Sequence, residues 1–164
     1  KIDTDGQWSE WEGAAGIRVR CWQGFGDGWL LRYLRIEADR TGRCLEGGWP
    51  MPAEAETEAD GASARSVRLI AADRATALHD LSGLRSALRV EAFPNSNLRF
   101  RNCGIPALEF RFEAGTHHLA SAQPLGFTEE TARKAPPAFE RDERGNPVFR
   151  TRSATRETTA VRHA

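Results

Sequence analysis

Gly16-Ile-Arg-Val-Arg-Cys-Trp22, Gln23-Gly-Phe-Gly-Asp-Gly28 and Trp29-Leu-Leu-Arg-Tyr-Leu-Arg-Ile-Glu37 follow one another without a break, and their reading decides the fold. In the first stretch Ile17, Val19 and Cys21 alternate with Arg18, Arg20 and Trp22, the period of a strand with one face buried. The second is rich in glycine and ends in Asp-Gly, residues that accept positive φ, so it reads as a turn. The third is apolar at Leu30, Leu31, Tyr33, Leu34 and Ile36, more continuously than alternation requires, which points to a strand buried on both faces. Together they predict a β-hairpin.

Working outward, Asp39–Gly42 reads as a turn and residues 50–64 as an exposed acidic loop (Glu54, Glu56, Glu58, Asp60), with one helical turn at 53–59. Residues 65–71 read as a strand. Asp73–Leu81 reads as a short helix capped by Asp73, with Ala77, Leu78 and Leu81 on one side. Residues 84–93 fit a strand or a continuation of that helix. A second hairpin is read from alternation at 98–103 and 108–113. Centred on Ile105, it sets Leu98 opposite Phe112, Phe100 opposite Phe110, Arg101 opposite Glu109 and Arg99 opposite Arg111.

The chain has 164 residues, 40% apolar and 28% charged, enough for one domain that folds without a metal or disulfide staple. No apolar run approaches the length of a membrane-spanning helix. Lys+Arg and Asp+Glu stand at 23 each, so no global basic field suits nucleic acid. The sole methionine is Met51, which reads as a chain trimmed or processed from a longer one. Cys21, Cys44 and Cys103 cannot all pair within one chain, and free thiols favour a cytoplasmic or virion-associated setting over export. Residues 128–164 carry eight basic and six acidic residues but few large apolar ones. The expectation is therefore an α+β or mainly-β domain at 1–127, an antiparallel sheet or sandwich with one or two short helices, followed by an extended C-terminal arm at 128–164.

The sequence carries no strong signature of chemistry. His117 and His118 are adjacent and point opposite ways on an extended segment, and with His79 and the three cysteines they form no metal-binding spacing. No metal or cofactor is expected. No Gly-x-Ser-x-Gly is present, so Ser82 and Ser121 read as loop serines. Gly24-Phe-Gly-Asp-Gly28 leads into a strand rather than the helix a dinucleotide site needs. All five tryptophans (Trp8, Trp11, Trp22, Trp29 and Trp49) lie in the first 50 residues.

Trp8-Ser-Glu-Trp11 followed by Arg18-Val-Arg20-Cys21 is similar, over these residues only, to the start of thrombospondin type 1 repeats. The missing cysteines and the apolar 30–36 stretch exclude membership, while the stacking of Arg on Trp that such layers use remains an expectation here. The candidate contact residues are Trp8, Trp11, Trp22 and Trp29, with an outward arginine stripe of Arg99, Arg101 and Arg111 beside Arg18 and Arg20. The composition suits a non-catalytic structural or adaptor subunit of a bacterial or phage assembly. It would meet a protein partner, or further copies of itself, through the arm and the tryptophan-rich region. Two alternatives are a carbohydrate-binding module of an exported protein, with a Cys21–Cys44 disulfide and coplanar exposed tryptophans, and a small hydrolase-like enzyme using His117 or His118.

Overall fold

The structure, a computed structural model, describes residues 1–13, 15–59, 65–92 and 102–152. In chain order its elements are β1 (Asp5–Glu12), β2 (Ile17–Gly26), β3 (Trp29–Ala38), β4 (Gly42–Gly47), β5 (Met51–Pro52), β6 (Glu56–Ala59), β7 (Ser66–Ala71), β8 (Arg74–Asp80), β9 (Ser86–Val90), β10 (Cys103–Phe112), β11 (Gly115–Pro124), α1 (Glu129–Ala132), β12 (Ala138–Arg141) and β13 (Pro147–Arg150). The protein is mainly β, with antiparallel sheets and, among the described residues, one short helix. A seven-stranded sheet runs β1-β2-β3-β11-β8-β7-β6, and in a smaller sheet β10 is flanked by β4, β5 and β9.

The β2–β3 hairpin lies inside the large sheet, its strands paired from Ile17↔Ala38 to Gly26↔Trp29. Asp27 and Gly28 make a two-residue turn with φ of 52° and 76°, which a primed turn requires and which Asp-Gly supplies at low cost. β3 is buried on both faces. Leu34 and Ile36 pack between the sheets with Val19, Cys21, Leu119, Phe110 and Phe112. Trp29, Leu31 and Tyr33 point the other way, into a cluster with Ile2, Trp22, Ala120, Ala122 and Phe149. That second cluster exists because residues 128–152 lie on the outer face of the large sheet: Ala132 of α1 packs on Ala75 and Ala77, and Phe139 and Phe149 of the β12–β13 hairpin pack beside Trp22 and Tyr33.

Three sequence expectations are corrected. Residues 74–80 form a strand, not a helix. The apolar run is buried on every side, so its alanines show no one-sided stripe, and pairing with β7 and β11 overrides their helical propensity. The stretch 56–59 is a strand paired with β7 rather than a helical turn, and Met51 and Ala55 of the supposed exposed loop are buried under Leu69, Leu78 and Leu108. The hairpin centred on Ile105 is not formed. Cys103–Phe112 is one unbroken strand in which Ile105 pairs with Val90, Gly104 with Met51 and Phe110 with Cys44. Pro106 lies just past the end of the β4 pairing, where its carbonyl accepts the Gly48 N–H and only the return bond, which proline cannot donate, is forgone. Leu98, Arg99, Phe100 and Arg101 lie outside the described residues.

Between the sheets sits a buried ionic network. Arg32 Nη1 donates to Glu46 Oε1 at 3.1 Å, Ser121 Oγ donates to the same oxygen at 2.5 Å, and Arg85 bridges Glu46 Oε2 and Asp80, the latter through Nε at 3.1 Å. Asp80 also accepts the backbone N–H groups of Leu84 and Arg85 at 2.9 and 3.0 Å. Burial by itself raises the Glu46 pKa, but Arg85 and Arg32 outweigh it and hold the carboxyl below its usual range.

Candidate functional site

The four candidate tryptophans separate into two kinds. Trp22 and Trp29 are buried, Trp22 stacked on Phe149 at 5.5 Å and Trp29 edge-on to His79, so neither offers a surface. Trp8 and Trp11 are 42% and 46% exposed on β1, the free edge of the large sheet. Trp8 stands opposite Trp22 on the outer face, whereas Trp11 stands opposite Val19 on the face turned to the small sheet. They point in opposite directions, and the coplanar pair that a sugar platform needs is not formed. Gly6 makes room for this arrangement, because a Cβ there would meet the Trp22 ring at 2.1 Å.

The arginine stripe also divides. Arg18 and Arg20 belong to β2 in the large sheet. Arg111 belongs to β10 in the small one, is 78% exposed, and is ion-paired with Glu109 at 3.5 Å. Arg99 and Arg101 are outside the described residues. Chain order suggests one stripe, but sheet order places Arg111 in a different layer. Sheet order instead brings together residues the sequence reading did not connect. Arg20 pairs directly with Arg35, and Arg35 with His118, so three basic side chains cross β2, β3 and β11 in one row on the outer face. Arg141, from the β12–β13 hairpin, joins them by donating to His118 Nε2 at 3.1 Å.

Tyr33 and Trp8 complete the group. Tyr33 Oη lies 2.7 Å from His118 Nδ1, its ring is edge-on to Trp8 at 5.9 Å, and the Arg20 guanidinium lies 5.0 Å from the centre of the Trp8 ring. The last contact is the Arg-on-Trp stacking that the sequence suggested. A guanidinium only donates, so His118 Nε2 is the acceptor. The neutral ring then carries its proton on Nδ1 and donates it to Tyr33 Oη. Burial, followed by the charges of Arg141 and Arg35 and by His117, holds the His118 pKa below its ordinary value of 6.5. Burial raises that of Tyr33, and the arginines draw it partly back. His117 points to the opposite face, where it meets Phe110, Phe112 and the Glu113 carbonyl.

The carboxylates of this face are Glu10, Glu12, Glu37 and, at its end, Asp39. Glu10 pairs with Arg20 at 3.3 Å and Arg18 at 3.6 Å, and Glu37 with Arg35 at 2.6 Å and Arg18 at 3.9 Å. Two residues along each strand from the basic row, a cleft of about 530 Å³ opens among Glu12, Arg18, Glu37, Asp39 and Thr116. Among the described residues no group of three or more His, Cys, Asp and Glu side chains is placed to hold a metal ion, and Cys21, Cys44 and Cys103 are free thiols.

No protein-family model and no curated protein match this chain. Among solved structures it is similar to the heparan sulfate lyase HepC from Pedobacter heparinus, at 14% identity and a TM-score of 0.46, over 87% of this chain and 24% of that one. A mutant of the same lyase aligns at 13% identity and the same TM-score, over 88% of this chain and 27% of that one. The chain thus spans about a quarter of the length of these structures.

Proposed function

We propose that the protein is a non-catalytic structural or adaptor subunit that meets an acidic segment of a partner protein on the outer face of its large sheet. The observation that supports this reading is the row Arg20–Arg35–His118 beneath Arg141. The row unites the tryptophan-rich N-terminal strands with the C-terminal hairpin in a single surface, the two regions that the sequence nominates for contact. Exposed arginine beside an exposed indole is a combination that protein interfaces favour. The test is binding of a glutamate-rich peptide to the wild type and to an Arg20→Glu/Arg141→Glu variant, at two salt concentrations. Binding that falls with salt and is lost in the variant supports the reading, and equal binding by both proteins sinks it.

One observation favours a second reading, an enzyme acting through His118: the 2.7 Å contact gives that imidazole a titratable partner in hydrogen-bond reach. Here Tyr33→Phe would abolish turnover of a hydrolysable substrate, whereas a contact surface would keep its peptide affinity.

A further inference from the structure

We infer that the two sheets hold between them a binding site for a neutral small molecule with a flat, ring-sized apolar body and a carbonyl-type oxygen at one end. The site lies on the face of the large sheet opposite to the proposed contact surface and does not depend on that reading.

The topology makes the opening. β4 is the edge of the small sheet, whereas the large sheet runs on past β3 through β2 to β1. Between this overhang and β4 lies a cavity of about 460 Å³. Val19, Leu34 and Phe112 are its apolar walls, and Trp11, exposed on the free edge strand, stands at its mouth. Trp11 is the exposed β1 tryptophan that the basic row does not use. An indole beside apolar walls suits a ring.

The far end of the cavity is polar, lined by Gln23, Arg32 and Glu46. Gln23 Oε1 accepts from Arg32 Nε at 3.1 Å, which orients the amide and leaves its Nε2 hydrogens unspent. Among the described residues neither Gln23 Nε2 nor Arg32 Nη2 has an acceptor, and neither atom is buried. Arg32 sits on an interior strand with its side chain turned to the small sheet, so the surface it keeps opens into this cavity. Two neighbouring donors of this kind are matched by a ligand oxygen that only accepts. Trp11 stands opposite Val19, four residues along β2 from Gln23, a separation of about 13 Å at the rise of a strand. A two-ring molecule spans that length.

The charges of the lining are already answered. Arg32 is paired with Glu46, Glu46 also with Arg85, and Arg43 with Glu109. The other ionisable groups there are the thiols of Cys21 and Cys44, which burial first and then Glu46 push above the usual thiol range, so both are uncharged at neutral pH. A charged ligand would enter an apolar cavity with no free counter-ion, at a cost that a neutral one avoids.

The experiment is a fluorescence titration of the full chain with prodan, a neutral naphthyl ketone whose emission moves to the blue in apolar surroundings. Saturable, blue-shifted binding is expected, and the same naphthalene carrying a carboxylate in place of the ketone should bind about tenfold more weakly or worse. Gln23→Glu keeps the oxygen that Arg32 donates to but removes the amide donors, and should weaken prodan about tenfold. Trp11→Ala, at an exposed position, should weaken it severalfold, whereas Phe127→Ala, exposed but outside the cavity, should leave it unchanged. Bound prodan should also slow alkylation by iodoacetamide at Cys44, which lines the cavity, and not at Cys103, which does not. Tighter binding of the carboxylate overturns the neutral assignment, and unaltered binding by Gln23→Glu overturns the carbonyl anchor. Non-saturable binding, equal losses in Trp11→Ala and Phe127→Ala, or unchanged alkylation of Cys44 overturns the site.

Discussion

Phe149 lies flat on Trp22, ring centres 5.5 Å apart with an interplanar angle of 22°, and so fastens the last described strand to the second. Both rings are buried. The Ile2 N–H donates to the Phe149 carbonyl at 2.8 Å, which ties the N-terminus to the same point. The stack makes the C-terminal hairpin a structural cover for the outer sheet face. Phe149→Ala is expected to cost about 3–5 kcal/mol in a urea unfolding experiment, the range for deleting a buried aromatic side chain. A loss under about 1 kcal/mol would mean that the hairpin does not sit on the sheet in solution.

Glu46 answers to Arg32, Arg85 and Ser121 at once between the two sheets. Glu46→Gln keeps the shape but removes the charge that the buried Arg85 and the half-buried Arg32 share. Breaking a buried pair from one side leaves an uncompensated ion, so a loss of about 3–5 kcal/mol is expected by thermal or chemical denaturation. A near-neutral result would show that water reaches the network.

Gly28 holds φ at 76° in the Asp27–Gly28 turn, where an added Cβ meets only Lys134 Nζ at 3.4 Å. Space is therefore sufficient and the penalty is one of backbone conformation. Gly28→Ala should destabilise by about 1–2 kcal/mol without changing the fold. Gly28→Asn should cost less, because Asn tolerates the left-handed region. Equal losses in the two variants would locate the penalty elsewhere.

His118 has its folded-state pKa lowered, by burial first and then by Arg141, Arg35 and His117. The folded protein therefore takes up its proton at lower pH than the unfolded chain does. Stability is full above the ordinary value of 6.5, falls as pH drops through it, and levels off below the folded value. Protonation also removes the Nε2 lone pair that accepts from Arg141. His118→Gln should flatten the stability profile between about pH 7 and 5. A profile unchanged by the substitution would remove His118 as its cause.

Much of the sheet was legible locally. Alternation at Ile17–Cys21, the Asp-Gly turn and the unbroken apolar run of β3 are properties of neighbouring residues, and each has a direct backbone consequence. The strand at Arg74–Asp80 was not legible, because burial on every side erases the period that separates strand from helix. The Gly104-Ile-Pro106 stretch misled for a related reason: glycine and proline mark turns only where the neighbouring strands do not supply partners, and here they do.

The candidate site divides in the same way. Sequence by itself determined that β3 would be covered on both faces and that His117 and His118 would face apart, since both follow from a two-residue period. Only the tertiary structure decided that Trp22 is core while Trp8 is surface, that Arg111 belongs to the other layer, and that Arg35, His118 and Arg141 stand with Arg20. Those relations depend on β11 pairing with β3 and on a C-terminal hairpin closing over the sheet. Pairings between distant segments are selected by the burial of whole faces, which no local pattern of side chains encodes.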